Sequence, residues 1–201
     1  MNFNDHLQKL THDKLLEMIE NIGNVSNNLI FKNYFCLLDF TRRNIHDKDI
    51  ICLLGIAHMV YGWMPTMLDN INEDFISNKD KILSLWNNIT SGLLNKDILE
   101  NIEKVTNNSI IGGSKLLHFI NPESYAIFDS KVYKAITKNK AYQYNLNIDN
   151  YLLYMNKLSK LTSNKEKMEL LKNKFHEKNE KNNRLTNFRY IELILFFSEK
   201  L

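Results

Sequence analysis

A chain of 201 residues is long enough for one well-buried core or for two small lobes that share a cleft, but too short for two ordinary independent domains. Its 44% hydrophobic and 24% charged residues exclude a disordered chain, and no apolar run reaches the roughly 18 residues that a membrane span needs. Twenty-six basic and 23 acidic side chains give a net charge of +3, which is compatible with a nucleic-acid partner without requiring one.

Apolar residues recur at helical spacing along nearly the whole chain, whereas the alternation typical of strands is almost absent. The pattern predicts a compact, single all-α domain over residues 1–201, with the third helix capped by Asp47 and ended by Met64 and Pro65. The predicted helices cover about residues 7–22, 29–43, 47–63, 79–93, 95–105, 114–120, 129–138, 149–162, 165–180 and 186–200.

The N-terminal segment and the metal-binding residue types restrict the function classes. Residues 1–14 show no basic start followed by an apolar block, so no signal peptide is predicted and we expect a cytoplasmic protein. Cys36 and Cys52 form no spaced pair for a metal or for disulfide exchange, and we expect both to be buried free thiols. The six histidines contain no HExxH-like pair, so no metal site and no cofactor are expected.

A glycine-containing turn precedes the predicted helix at residues 114–120. Gly112 and Gly113 allow a tight turn and a close approach to a ligand, and the first free amides of the helix form a site for an anion such as phosphate. Lys115 on the first turn would strengthen that site. An ordinary turn with a solvated lysine is the alternative, and spacing alone favours it.

Asp129 begins the next predicted helix, where an aspartate is a good N-cap. The preceding residues 125–128 are apolar, so an unpaired carboxylate there would be unfavourable and a partner is expected. Lys115 is a candidate for that partner, either as a helix-joining ion pair or in a chemical role.

The sequence GGSK, the apolar helix LLHFI and the aspartate of AIFD together resemble the helix-hairpin-helix DNA glycosylases, particularly their 8-oxoguanine DNA glycosylase-like branch. The resemblance covers residues 109–132, and Ile111 stands where the family's hairpin has another glycine. It implies a hairpin motif at about residues 106–120 and a cleft between two helical lobes. It also implies a DNA phosphate-binding hairpin made by Gly112, Gly113 and Ser114.

In the same resemblance Lys115 is the nucleophile and Asp129 is the essential acid. It implies a monomeric DNA glycosylase that flips a damaged or modified base out of double-stranded DNA and excises it, in DNA repair or in defence against foreign DNA. Lys115 would attack the anomeric carbon and form an imine that eliminates to nick the strand. Asp129 would offset the positive charge of the transition state and assist proton transfer. The sequence does not identify the target base.

Further side chains are weaker candidates, because a packing or solvated role is at least as common for each. Arg189 and Glu192 are one helical turn apart and are expected to pair and to position the last helix. Candidates for the base pocket are Tyr61, Trp63, Met64, His118 and Phe128. Candidates for contacts to the DNA backbone are Arg42, Arg43, and Lys138 and Lys140 around Tyr142 and Tyr144.

Two other functions remain open at the level of the sequence. One is a non-catalytic helix-hairpin-helix module that binds nucleic acid through phosphate contacts alone. The other is a helical protein-interaction protein, in which Lys115 and Asp129 form a structural ion pair.

Overall fold

The computed structural model describes residues 2–64 and 66–199, which form twelve α-helices and no strand and thereby confirm the all-α prediction. A 3-10 turn at Gln143–Asn145 precedes α10. No helix within these two ranges combines the length and the apolar character that crossing a bilayer requires. The helices are α1 Phe3–Gln8, α2 His12–Glu20, α3 Leu29–Asn44, α4 Ile50–Trp63, α5 Glu73–Ile76, α6 Lys79–Thr90, α7 Lys96–Glu103, α8 Ile110–Ile120, α9 Ser130–Thr137, α10 Ile148–Thr162, α11 Lys165–His176 and α12 Asn187–Ser198.

The helices form two compact units. The central unit, Leu29–Tyr125, is one continuous segment and contains α3 to α8. The terminal unit combines Met1–Asn28 with Ala126–Leu201 and contains α1, α2 and α9 to α12. Whether the chain is a single domain, and whether it has a cleft, stay predictions.

The core of the central unit is built around α8. This helix packs against α3, α4, α6 and α7, and every residue from Leu116 to Ile120 is buried. Because α8 is apolar on nearly all faces, it can be stable only with neighbours on several sides. Trp86 is fully buried in α6, and its indole Nε1 donates to the carbonyl of Asp49 at 2.9 Å, which joins α6 to the start of α4.

The core of the terminal unit is built around α12, which packs against α2, α9 and α10. Arg189 and Glu192 are both buried in this helix, and Arg189 Nη1 donates to Glu192 Oε2. The predicted pair is therefore confirmed. The two buried charges form an ion pair, whereas either charge buried alone would strongly destabilise the fold.

Several predicted helix boundaries are wrong, and side-chain caps explain the differences. The expected helix at residues 7–22 is two helices, because Thr11 Oγ1 accepts from the amide of Lys14 at 3.2 Å and starts α2. The cap of α4 is Asp49 rather than Asp47, and its Oδ1 accepts from the amide of Cys52 at 2.7 Å. The α4 helix ends at Trp63 as expected, whereas Pro65 lies outside the described residues.

The burial predicted for the two thiols is also wrong. Cys36 is exposed on α3, and Cys52 near the start of α4 is only half-buried. Both helices turn one face to solvent. Cys36 lies on the side of α3 opposite its buried residues, and Cys52 lies at the edge of the apolar stripe of α4.

Candidate active site

The turn before α8 is held in place by hydrogen bonds within the central unit. Asn107 and Asn108 have left-handed backbones, with φ of 54° and 50°. Asn107 Oδ1 accepts from the amides of residues 69 and 70 at 3.1 and 2.9 Å, and its Nδ2 donates to the carbonyl of Met67 at 2.8 Å. Tyr61 Oη donates to the carbonyl of Thr106 at 2.7 Å. The turn is therefore fixed from both sides before the helix begins.

The α8 helix begins at Ile110, four residues earlier than predicted, because Ser109 is its N-cap. Ser109 Oγ accepts from the amide of Gly112 at 3.5 Å, and the Ser109 carbonyl accepts from the amide of Gly113 at 2.8 Å. The two glycines thus lie inside the first turn of the helix rather than in the turn before it. The serine before two isoleucines is the signal that was missed, since serine is a strongly preferred N-cap.

Close helix packing, and not an unusual backbone, explains the two glycines. A Cβ at Gly112 would overlap the Tyr61 hydroxyl and come within 2.9 Å of Tyr61 Cζ. A Cβ at Gly113 would lie 2.6 Å from Ile102 Cγ2. Ser114 is fully buried as well, and its Oγ donates to the carbonyl of Ile111 at 3.1 Å. Small residues on this face allow α8 to approach α4 and α7.

This geometry changes the prediction that Gly112, Gly113 and Ser114 bind a DNA phosphate. The amides of the two glycines already donate to Ser109, so amides at the open end of α8 belong to Ile110 and Ile111. Ile111 has a helical backbone and does not need to be glycine. A phosphate contact stays a prediction, and within α8 it would use these two earlier amides.

Lys115 lies on the second turn of α8 and is half-buried. Its Nζ is 5.9 Å from the centroid of the Trp63 ring, a distance at which an aromatic face attracts an ammonium group. Trp63 in turn packs edge-on against Phe119, with centroids 5.3 Å apart and an interplanar angle of 87°. The lysine side chain is therefore placed beside an aromatic surface that is itself fixed by the core.

Two of the predicted base-pocket residues in the central unit are buried and make structural hydrogen bonds, and their contact with a base stays a prediction. His118 is fully buried: its Nδ1 donates to the carbonyl of Tyr125 at 2.6 Å, and its Nε2 accepts from Tyr34 Oη at 2.9 Å. Tyr61 is buried against Gly112, and burial together with the charge of Asp69 raises the pKa of its phenol to about 12. Trp63 and Met64 are half-buried and keep surface that a base could contact.

Asp129 belongs to the terminal unit and is the N-cap of α9, as predicted. Its Oδ1 accepts from the amides of Lys131 at 3.0 Å and Val132 at 3.1 Å, and the residue is only 7% exposed. The N-terminus of a helix favours acidic side chains, which agrees with an aspartate at this position.

The surroundings of Asp129 are apolar and aromatic. Phe128, predicted for the base pocket, is fully buried in the core of the terminal unit, with its ring centroid 5.2 Å from that of Tyr154 and 5.8 Å from that of Phe3. Burial, followed by the negative charge of Glu192, raises the pKa of the Tyr154 phenol well above its ordinary value, and Asp129 acts in the same direction. The carboxylate of Asp129 thus lies close enough to the buried Tyr154 phenol for the two groups to interact electrostatically.

The residues predicted for DNA backbone contacts are all exposed. Arg42 and Arg43 lie in the last turn of α3 in the central unit. Lys138 and Lys140 follow α9 in the terminal unit, and Lys138 Nζ lies 3.2 Å from Glu199 Oε1. Exposure is what a phosphate contact requires, but it does not distinguish that role from a solvated surface.

No known protein family, curated protein sequence or solved structure matches this chain. Within residues 2–64 and 66–199, no group of three or more His, Cys, Asp and Glu side chains is arranged to hold a metal ion. A function for the chain must therefore be inferred from its own residues.

Proposed function

We propose that the protein is a DNA glycosylase with abasic-site lyase activity, in which Lys115 is the nucleophile and Asp129 stabilises the transition state. One observation supports this proposal most directly. The segment that resembles the glycosylases presents a half-buried lysine on a helix after a fixed turn, followed by a buried aspartate that caps the next helix. These are the residue types and the order of elements that the resemblance implies.

The chemistry proposed for Lys115 needs an amine that is accessible and held in one orientation. Its Nζ lone pair would form a bond to C1′ of the sugar while the bond from C1′ to the base breaks, and the base leaves with that electron pair and takes up a proton. Loss of a proton from Nζ and opening of the sugar ring give an imine. Loss of a proton from C2′ then expels the 3′ phosphate and nicks the strand.

The role proposed for Asp129 is electrostatic. As the base departs, positive charge develops on the sugar, and a fixed carboxylate stabilises that charge most strongly in a buried environment. Its two bonds to the amides of α9 hold the carboxylate in place before the reaction begins. Of the residues predicted for the base pocket, Trp63 and Met64 are only half-buried and keep surface that could contact a flipped base.

The test uses duplex oligonucleotides that carry one oxidised, alkylated, deaminated or hypermodified base, incubated with the protein and borohydride. Base release and a covalent DNA adduct are expected with at least one duplex, and Lys115→Gln should lose both. Lys104→Gln is the matched control, because Lys104 is also a half-buried lysine of the central unit beside an aromatic ring, 5.2 Å from the Phe75 centroid.

Asp129→Asn tests the catalytic role of the carboxylate while keeping a side chain that caps the helix. Asparagine is as good an N-cap as aspartate, so α9 should remain capped while the charge is lost. We expect a fall in base release of about 10²-fold or more with little change in thermal stability. Asp49→Asn, at the N-cap of α4, is the control that removes an equivalent capping charge.

Base release that is unchanged in Lys115→Gln, or no release and no adduct with any duplex, would contradict the proposal. Salt-sensitive DNA binding without release would favour the non-catalytic nucleic-acid-binding module.

A further inference from the structure

The terminal unit has a pocket of about 330 Å³ that is lined by residues of α1 and α2, by the segment between them and by the end of α9. Its apolar lining consists mainly of the buried side chains of Leu10, Met18 and Ile136. None of the described residues that line it is acidic, and the basic ones are His6, Lys9, Lys14 and Lys138. We call it the basic pocket. Apolar side chains beside several cations suit a ligand that has both a flat apolar part and a phosphate.

Carboxylates near these lysines lie outside the basic pocket. Lys14 Nζ is 2.7 Å from Glu17 Oε2, and Lys138 Nζ is 3.2 Å from Glu199 Oε1. Glu17 and Glu199 line a separate, adjacent depression. The ion pairs hold the two lysines at the boundary between the depressions without placing negative charge inside the basic pocket.

An exposed aromatic stack follows Lys138 in the chain. The rings of Tyr142 and Tyr144 are parallel, with an interplanar angle of 3° and centroids 5.6 Å apart, and the residues are 50% and 73% exposed. Lys140 Nζ is 5.6 Å from the Tyr142 centroid. The Asn145 side chain accepts from the amide of Tyr142 at 3.1 Å and fixes the turn that carries both rings. We call Tyr142 and Tyr144 the tyrosine pair.

We propose that the basic pocket and the tyrosine pair form one binding surface for single-stranded nucleic acid. A nucleotide occupies the basic pocket, with its phosphate near Lys9 and Lys138, and an unpaired base continues the stack on Tyr144. Lys138 and Tyr142 are four residues apart, so their Cα atoms are within about 14 Å, which a strand of a few nucleotides can bridge. The surface requires neither Lys115 nor base excision, and it goes beyond the glycosylase proposal.

The tyrosine pair is what favours nucleic acid over an anionic membrane. Lysines alone would attract either partner, because both present phosphate groups. Parallel exposed rings next to a cation match the stacking platforms on which successive bases pack. Tyrosines also occur at membrane interfaces, but a lipid surface has no flat group that stacks on two parallel rings.

The test measures fluorescence anisotropy of a labelled twelve-nucleotide oligo-thymidine with the full chain carrying Lys115→Gln, so that catalysis cannot contribute. Removing one stacking platform weakens binding by about 5- to 150-fold, and we expect a loss in this range for Tyr144→Ala but not for Tyr144→Phe. Leu170→Ala, which truncates another exposed apolar side chain of the same unit, is the control and should bind normally.

Replacing both Lys9 and Lys138 by alanine tests the proposed binding of phosphate by these lysines. Each phosphate that a lysine no longer neutralises lowers the slope of log affinity against log salt by about 0.7 for a single strand, so the slope of the double variant should fall by about 1.4. Lys165→Ala, an exposed lysine on α11, controls for the general loss of charge and should keep the slope.

Three results would overturn the inference. They are no oligonucleotide binding at low salt, an affinity of Tyr144→Ala equal to that of its Lys115→Gln parent, or tighter binding to phosphatidylserine vesicles than to the oligonucleotide with the same dependence on Lys9 and Lys138. Because every protein in this comparison carries Lys115→Gln and none changes Asp129, failure here is distinguishable from failure of base excision in the wild-type protein.

Discussion

Replacing the buried glycines of α8 by alanine tests whether they serve helix packing. In Gly112→Ala the new Cβ would meet the Tyr61 ring, and Tyr61 cannot withdraw without breaking its 2.7 Å bond to the Thr106 carbonyl. Overpacking typically destabilises by about 1–3 kcal/mol, and alanine regains about 1 kcal/mol of helix propensity. A buried carbonyl left without its donor adds about 1–3 kcal/mol. We expect a net loss of about 1–5 kcal/mol.

The matched control variants should change the stability of the protein in the opposite direction. Gly55 and Gly62 lie in α4 and are exposed, and a Cβ at either would have no atom within 4 Å apart from the adjacent residues and the backbone of its own helix. Alanine at either site should stabilise the protein by up to about 1 kcal/mol, because glycine is the weaker helix former. Since 1 kcal/mol corresponds to about 2–4 °C in a chain of this size, thermal unfolding should resolve the two groups.

Equal stabilisation by Gly112→Ala and Gly55→Ala would refute the packing account. In Gly113→Ala the new Cβ would overlap the side chain of Ile102, so this variant should be destabilised as Gly112→Ala is. Adding Tyr61→Phe to Gly112→Ala should restore part of the loss, because it removes the overlapping hydroxyl.

Three further predictions concern other buried and titratable groups. Arg189→Met should destabilise by about 3–5 kcal/mol in a denaturant titration, and Glu192→Leu added to it should recover most of the loss, because the lone buried carboxylate disappears; no recovery would contradict a simple buried pair. Burial raises the pKa of the Tyr61 phenol to about 12, so the neutral phenol stabilises the folded state. That stabilisation is present below pH 10 and is lost as the pH rises towards 12. Tyr61→Phe should therefore lose less stability over that range than the wild type. Cys36 is exposed, whereas burial and nearby carboxylates raise the pKa of Cys52, so a thiol reagent should modify Cys36 first, as peptide mapping would show.

The helices can be predicted from the sequence because their apolar periodicity is strong. The pattern predicts one helix over residues 29–43, and α3 spans Leu29–Asn44. The start of α8 could not be placed correctly, because a pair of glycines usually marks a turn, whereas here it allows close packing. The same reason moves the candidate anion site from Gly112, Gly113 and Ser114 to the amides before them.

Only those features of the candidate site that depend on neighbouring residues in the chain can be predicted from the sequence. Asp129 caps a helix because aspartate before a helical segment accepts from its first amides, and that depends on neighbours in the chain. The roles of His118 and Phe128 depend on residues distant in sequence, such as Tyr34 for the former and Phe3 for the latter. No pattern within a short segment indicates such partners.

The most direct test of the central claim is to locate the covalent bond to DNA. Duplex DNA with one abasic site presents the sugar aldehyde directly, so imine formation does not depend on knowing the target base. After borohydride reduction and digestion, mass spectrometry should find the sugar adduct on the peptide that contains Lys115, and Lys115→Gln should abolish it. An adduct spread over other lysines, with equal yield in Lys115→Gln, would contradict the assignment of Lys115 as the nucleophile.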